Sequence, residues 1–244
     1  MVDLLKLKNE LRTLPLAARR SFQLSPSDLA IGYRAQRAQA PARAQGYLSA
    51  KRSGVTSSRS ASTRAEEHLA VGLFNRKHLK WPDGSLLKLI DYQFPLKSVR
   101  DDAGIGKIDL LGLRDDGTLA IIELKVEGNA EDRRIALIEG LIYAAIVESN
   151  LRQIAAEVFA ARGQTVSLSR PQIIVLGSPA YWSDTKPFPG IEDVRVLAGR
   201  TAVEIECAIC LMKLHDAKLT KFGLDGQQPE ISGDCSLSCV FDDR

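Results

Sequence analysis

The pattern of apolar and polar positions is most informative between residues 104 and 126, where the chain reads GIGKIDLLGLRDDGTLAIIELKV. One apolar run spans Ile108 to Leu113 and a second spans Leu119 to Ile122, with Asp115-Asp116-Gly117-Thr118 between them. Such a turn between apolar runs indicates a β-hairpin, because glycine adopts the positive φ that a tight turn requires. The pattern therefore predicts two paired strands near the middle of the chain.

Other segments have patterns typical of helices or of buried strands. Leucines at loosely helical spacing predict partial helix over residues 1–24, and Ser25-Pro26-Ser27-Asp28 is a plausible helix start. The remaining predicted elements are helices from about residue 62 to 79 and over 135–147, 151–162 and 191–214, and strands over 86–94 and 172–177. The order helix, strand, hairpin, helix, helix, strand, helix predicts an α/β domain with a mixed central sheet flanked by helices.

Composition divides the 244 residues into three regions. We expect a basic, mostly helical N-terminal extension with a Ser-rich linker over 1–58, an α/β domain over 59–225, and a tail over 226–244. Residues 1–64 hold 12 Lys/Arg against 3 Asp/Glu, a balance of +9, whereas residues 65–244 hold 21 against 27, a balance of −6. A basic segment on an acidic body indicates either a polyanionic partner or a solvated leader.

The basic extension interleaves arginine with Tyr33 and Tyr47, a combination that suits phosphate contact and base stacking. No apolar run approaches the length of a membrane span, and the start lacks the apolar core of a signal peptide, so we expect a cytoplasmic protein without a membrane partner. The cations assigned to nucleic-acid binding are Arg34, Arg37, Lys51, Arg52 and Lys107.

Three charged residues lie where buried strand residues are expected: Asp109 in the first strand, Glu123 and Lys125 in the second. Glu123 and Lys125 are two apart and therefore share one face of the sheet. Two adjacent carboxylates raise one pKa or recruit a cation, and hard oxygen ligands without nearby His or Cys favour Mg²⁺ or Mn²⁺ over Zn²⁺. Lys125 could orient a water or offset charge on a phosphate. These residue types suit metal-assisted hydrolysis of a phosphodiester.

This arrangement resembles the PD-(D/E)XK nuclease superfamily, whose members have a restriction-endonuclease-like fold. The family pattern is a helix with a Glu, a strand with an Asp, a strand ending in Glu-X-Lys, and a further helix. It matches Glu66 or Glu67, then Asp109, then Glu123-Leu124-Lys125, then the helix around residues 135–147. The resemblance extends over about residues 62–200 and is closest in the phrase KIDLLGLRDDGTLAIIELKV.

The resemblance implies a Mg²⁺-dependent deoxyribonuclease. Asp109, Glu123 and the Leu124 backbone carbonyl would bind the metal, Lys125 would be the catalytic lysine, and Glu66 or Glu67 would complete the acidic cluster. Many relatives carry Gln in the following helix where this chain has Glu139, which is either an extra ligand or a solvated residue. The substrate is expected to be DNA, with RNA and homodimerisation left open.

Two other classes of protein compete with a nuclease. A nuclease-like fold can bind nucleic acid without cutting it, and this catalytically silent module is the main alternative. The pairs Cys207-x-x-Cys210 and Cys235-x-x-x-Cys239 are compatible with a Zn²⁺ or iron–sulfur clamp. Their apolar context favours free buried thiols instead.

Overall fold

The computed structural model describes residues 2–48, 65–97, 105–129, 131–183, 190–219 and 228–242. The helices are α1 (Leu4–Thr13), α2 (Leu16–Ser21), α3 (Pro26–Ala38), α4 (Ala65–Arg76), α5 (Arg133–Ser149), α6 (Leu151–Arg162) and α7 (Ile191–Ile205). The strands are β1 (His78–Lys80), β2 (Leu86–Pro95), β3 (Lys107–Arg114), β4 (Leu119–Lys125), β5 (Gln172–Gly177), β6 (Ile209–Leu214), β7 (Lys218–Leu219), β8 (Ile231–Ser232) and β9 (Leu237–Asp242).

A seven-stranded mixed sheet with the order β1-β2-β3-β4-β5-β6-β9 forms the centre of the protein. Strands β1 to β4 are antiparallel neighbours, β4, β5 and β6 run parallel, and β9 returns antiparallel to β6. The strands β7 and β8 form a separate pair. The predicted α/β architecture with a mixed sheet and flanking helices is confirmed at this level.

The predicted hairpin is β3 and β4, and its turn has the expected backbone. Gly117 adopts φ +82°, and its N–H donates to the Arg114 carbonyl at 3.0 Å. The Asp116 carboxylate accepts from the Thr118 N–H at 2.8 Å. Because turn and register are both set locally, the hairpin places Leu110 opposite Ile122 and Leu111 opposite Ile121.

Helices cover both faces of the sheet. On one face α4 packs over β2 and β3 and buries Leu73 and Phe74 in a cluster with Ile122. On the other face α5 lies against β4 and β5, and its buried Ile138 and Ile142 join the larger core cluster. Alternate residues of β3 and β4 therefore enter different cores, as the two-residue period of a strand requires.

The N-terminal residues do not form an extension separate from the sheet domain. Helices α1 and α3 pack on α5, and Leu4, Leu11 and Leu29 are fully buried in the same core as α5. The apolar faces of α1 and α3 are buried against the side of α5 that faces away from the sheet. The Ser-rich linker expected over residues 53–62 lies outside the described residues.

Arg134 attaches this N-terminal segment to the start of α5. Its side chain is buried and pairs with Asp132 at 2.7 Å. The guanidinium also donates to the Arg19 carbonyl at 2.7 Å and to the Phe22 carbonyl. A buried arginine satisfied in this way fixes the path of the chain between α2 and α3.

Two predictions near the C-terminus are corrected. The helix expected over 191–214 ends at Ile205, where Glu206 adopts a left-handed backbone with φ +50°, and the chain returns to the sheet as β6. The apolar run ICLMKL is buried between both cores, which favours a strand. The expected tail contributes β9, which pairs Leu237 with Leu214 in the main sheet.

Among the described helices, none is long and apolar enough to cross a membrane.

Candidate active site

Asp109, Glu123 and Lys125 come together at one end of β3 and β4. The side chains of Glu123 and Lys125 lie on the face of β4 that α5 covers, and the Lys125 Nζ is 3.0 Å from the Glu123 Oε1. Asp109 lies on β3, one residue before Leu110, and its Oδ2 accepts from the Leu124 N–H at 2.9 Å. The predicted convergence of the three charged groups beside the sheet is therefore present.

Lys125 is buried and bound by three carboxylates. Its Nζ lies 2.8 Å from Glu131 Oε2, 3.0 Å from Glu123 Oε1 and 3.2 Å from Glu139 Oε2. Burial lowers the pKa of Lys125, but these three carboxylates outweigh burial and hold the pKa well above its ordinary value. The ammonium is therefore charged over the whole physiological range and serves as the central cation of the cluster.

The two strand carboxylates have raised pKa values. Burial raises the pKa of Asp109 to about 7, although the Leu124 N–H and the Lys125 ammonium oppose it. Burial also raises the pKa of Glu123 well above its ordinary range, with the neighbouring Asp109 and Glu139 adding to the effect and Lys125 opposing it. Burial is thus the largest cause of both raised pKa values, and the repulsion between neighbouring carboxylates expected from the sequence adds to it at Glu123.

Glu139, on the first turns of α5, is the fourth charged side chain of the site. It is buried, so it is not the solvated residue that was one of the two sequence-based alternatives. Burial raises the pKa of Glu139, but the positive charges of Lys125, Lys8 and Arg12 outweigh it and hold the pKa below its ordinary value. The Lys8 Nζ lies 3.6 Å from its Oε1 and the Arg12 Nη2 lies 3.1 Å from the same atom.

Sequence reasoning missed Glu131, Lys8 and Arg12 as members of the site. Glu131 precedes α5 and pairs with both Lys125 and Arg12, at 2.8 and 2.6 Å. Lys8 and Arg12 are one helical turn apart on α1, and this i, i+4 spacing is the signal that could have shown that they share a face. Nothing local indicates which part of the chain that face would contact.

The helix carboxylates Glu66 and Glu67 both border the cavity in front of the sheet. The Glu66 Oε1 accepts from the Asn129 Nδ2 at 2.6 Å, and its charge contributes to the raised pKa of Asp109. The first turn of α4 thus approaches the strand ends, as the family pattern implies. Through Asn129, Glu66 contacts the loop that follows β4.

Gln93 on β2 holds the other oxygen of Asp109. Its Nε2 donates to the Asp109 Oδ1 at 2.9 Å, and its backbone has φ +47°, a left-handed conformation that glutamine rarely adopts. The register of β2 shifts by one residue between Leu89 and Asp91. Backbone irregularity of this kind re-aims a side chain, here toward the carboxylate.

These groups line a cavity of about 640 Å³ with charged walls. Tyr143, one turn after Glu139 on α5, closes one side, and burial together with the nearby carboxylates raises the pKa of its phenol well above the ordinary value. Lys107, assigned to nucleic-acid binding from the sequence, lies exposed among the lining residues. An open, charged cavity of this size accommodates a segment of a polar substrate.

Two other arginines assigned to nucleic-acid binding contact the protein itself. Arg37 pairs with Glu148 at 2.8 Å, and Arg34 donates to the Glu204 carbonyl at 2.5 Å. The acidic body thus supplies partners for part of the basic N-terminal segment. Lys51 and Arg52 lie outside the described residues.

The four cysteines do not form a cluster in the described structure. Cys207, Cys210 and Cys235 are buried and Cys239 is exposed, all as free thiols. Burial raises the pKa of Cys207 to about 12. Among the described residues, no three His, Cys, Asp or Glu side chains are grouped so as to hold a metal ion.

The donor set at the strand ends fits Mg²⁺ or Mn²⁺ chemically. The residues that would hold the cation are Asp109 and Glu123, both hard oxygen donors, and Mg²⁺ in phosphate-processing sites rests on one or two carboxylates plus water. The Glu123 Oε2 is buried and receives no hydrogen bond from the described residues. A buried carboxylate oxygen without a donor is costly, and a cation would satisfy it. The Leu124 carbonyl as a third ligand stays a prediction.

Comparisons with protein-family models, with curated proteins and with solved structures find no match to this chain.

Proposed function

We propose that this protein is a metal-dependent nuclease that hydrolyses phosphodiester bonds of DNA, built on a restriction-endonuclease-like arrangement of strands and helices. The observation that carries the proposal is the meeting of Asp109, Glu123 and Lys125 at the ends of two paired strands, in front of an open cavity. The spacing of the three residues and the hairpin between them support the same assignment.

Each residue has a defined part in this proposal. Asp109 is oriented through both oxygens by Leu124 and Gln93, and Glu123 offers a buried oxygen, so the two carboxylates form a preorganised ligand pair. Lys125 keeps a full positive charge beside them and offsets the negative charge that builds on the phosphate. When bound, a divalent cation supplies Lewis-acid polarisation of the phosphoryl group and lowers the pKa of the attacking water.

The reaction adds water across the ester. A bond forms between the water oxygen and phosphorus, the bond from phosphorus to the leaving sugar oxygen breaks, and the leaving oxygen takes up a proton. The attacking water gives up a proton and the leaving oxygen takes one up, so the number of protons balances over the reaction. The buried position of Glu123 excludes bulk water from one side of the site.

The test is a cleavage assay on circular, linear, branched and single-stranded DNA and on RNA, each with Mg²⁺ or Mn²⁺. We expect Asp109→Asn and Lys125→Met to lower the cleavage rate roughly a hundredfold or more. The matched control is Asp115→Asn, which removes an exposed carboxylate at the turn of the same hairpin and should leave the rate unchanged. A wild-type protein that cuts none of these substrates, or an Asp109→Asn variant that cuts at the wild-type rate, would refute the proposal.

A second candidate is the catalytically silent binding module. The observation that favours this function is that the Lys125 ammonium already contacts three carboxylates, which occupy the N–H groups that would otherwise bind a phosphate. In a silent module we expect labelled DNA to bind with an affinity that does not respond to Mg²⁺ and to remain intact after prolonged incubation. The same substrate panel, read by gel shift beside cleavage, separates the two functions.

A further inference from the structure

Helix α1 forms part of the wall of the candidate active site. Arg12 lines the cavity, and nearly half of its side chain is exposed there (47%). Its Nη2 lies 2.6 Å from Glu131 Oε1 and 3.1 Å from Glu139 Oε1, and its Nε donates to the same Glu131 oxygen. A residue near the start of the chain thus contacts two of the three carboxylates that bind Lys125.

The position of Arg12 is fixed by the fold. The Asp3 carboxylate caps α1 by accepting from the Leu5 and Lys6 N–H groups, and Leu4 and Leu11 anchor the helix in the core. A capped and anchored helix holds the guanidinium at the cavity with little loss of backbone freedom on ligand binding. This is the placement that a residue contacting substrate requires.

The two cations that α1 contributes differ in exposure. Lys8 is buried (4% exposed) beside Glu139 and neutralises that carboxylate within the protein. Arg12, one turn later, keeps its guanidinium at the cavity surface. Lys125 is buried as well, so Arg12 is the most exposed of the three cations that contact Glu139.

The charge of the cavity explains why such a cation is needed. Six carboxylates and four cationic side chains border it, so the carboxylates are in excess and repel an anionic substrate. A planar guanidinium binds a phosphate through two parallel N–H bonds, which a lysine ammonium does not reproduce. When Arg12 turns from Glu131 and Glu139 to a phosphate, both carboxylates keep a cationic partner. Lys125 still pairs with Glu131 and Glu139, and Lys8 still pairs with Glu139.

We propose that Arg12 binds a phosphate of the nucleic-acid backbone in this cavity, so that helix α1 is part of the substrate-binding surface. This inference rests on the proposed function for its substrate, and it adds a binding residue from a segment that the family pattern does not include. Glu131 and Glu139 hold the Arg12 guanidinium at the cavity.

The test measures binding and cleavage separately. A short fluorescein-labelled DNA duplex is titrated by anisotropy in Ca²⁺ buffer over a salt series, and cleavage of the same duplex is followed with Mg²⁺. For Arg12→Ala we expect Kd to rise about tenfold and the slope of log Kd against log salt to fall by about 0.9, the loss of one phosphate contact. The Kd of Arg12→Lys should lie between those of the wild type and Arg12→Ala, because lysine keeps the positive charge but lacks the paired N–H groups.

The matched control is Lys6→Ala, which removes an exposed cation from the same helix outside the cavity and should leave Kd and the salt slope unchanged. A lower Tm for Arg12→Ala with wild-type Kd and slope would show a purely structural ion pair and overturn the inference. If Arg12→Ala does not fold, Arg12→Lys decides by the same two readouts.

The outcomes for Arg12 and for nuclease activity are distinguishable. A wild-type protein that cuts DNA beside an Arg12→Ala variant with unchanged binding overturns only the role of Arg12. Binding that depends on Arg12 without any cleavage supports Arg12 and removes the nuclease assignment. A wild-type protein that neither binds nor cuts overturns both.

Discussion

Replacing Lys125 by methionine tests how the carboxylate cluster contributes to stability. Methionine keeps most of the length of the side chain and removes the ammonium, so Glu123, Glu131 and Glu139 lose the cation that they share. Removing one partner of a buried ion pair leaves uncompensated charge and costs about 3–5 kcal/mol. Because Lys125 and Glu139 are both buried, we expect the free energy of unfolding at pH 8 to fall by about 3 kcal/mol.

The cost should depend on pH. Burial already raises the pKa of Glu123 above its ordinary value of 4.5, and loss of Lys125 raises it further. The folded variant then binds protons more readily than the folded wild type, so its deficit shrinks as the pH falls. Each additional pKa unit recovers about 1.4 kcal/mol once the carboxyl groups are protonated.

The assay is urea denaturation of both proteins in EDTA at pH 8 and pH 5, with Lys88→Met as the control. Lys88 is an exposed lysine on β2, and its replacement should change stability by less than about 0.5 kcal/mol at either pH. A loss for Lys125→Met below about 1 kcal/mol at pH 8, or a loss of equal size at both pH values, would contradict the described cluster.

Three further predictions concern the rest of the fold. Leu11→Ala should cost about 2–5 kcal/mol by denaturation, because Leu11 is fully buried under α5; a loss below about 0.5 kcal/mol would refute this packing. Gly140→Ala should cost about 1–3 kcal/mol, because its Cβ would lie 2.6 Å from Ile173 Cγ2; unchanged urea midpoints would argue against this contact. In native protein, maleimide should label Cys239 and leave Cys207 unlabelled, since burial raises the Cys207 pKa to about 12; mass spectrometry of digests reads this out, and equal labelling would contradict it.

The local part of the site could be predicted from the sequence. A hairpin turn and a two-residue period fix which strand residues share a face, and they were sufficient to bring Asp109, Glu123 and Lys125 together. The metal and the reaction stay predictions, because residue types alone restrict the chemistry without showing a ligand. The fold class followed from the alternation of helical and strand patterns.

The rest of the site depends on contacts between distant parts of the chain. Arg12 and Glu139 are 127 residues apart, and no local pattern in α1 indicates a carboxylate partner. The sequence predicts a helix where β6 forms, because a continuous apolar run suits either structure. The left-handed turn at Glu206, which separates α7 from β6, has no clear sequence signal. The positive charge balance of residues 1–64 predicts a solvated or polyanion-binding segment, whereas Arg37 of this segment pairs with Glu148 on α5.

The docking of α1 links global packing to the chemistry of the cavity. Any opening that lifts this helix away from α5 exposes Leu4 and Leu11 and, in the same motion, removes Lys8 and Arg12 from Glu139. The electrostatic balance around Lys125 then changes although no strand residue has moved. Partial unfolding at the start of the chain would therefore alter the reactivity of the strand carboxylates before the sheet itself is disrupted.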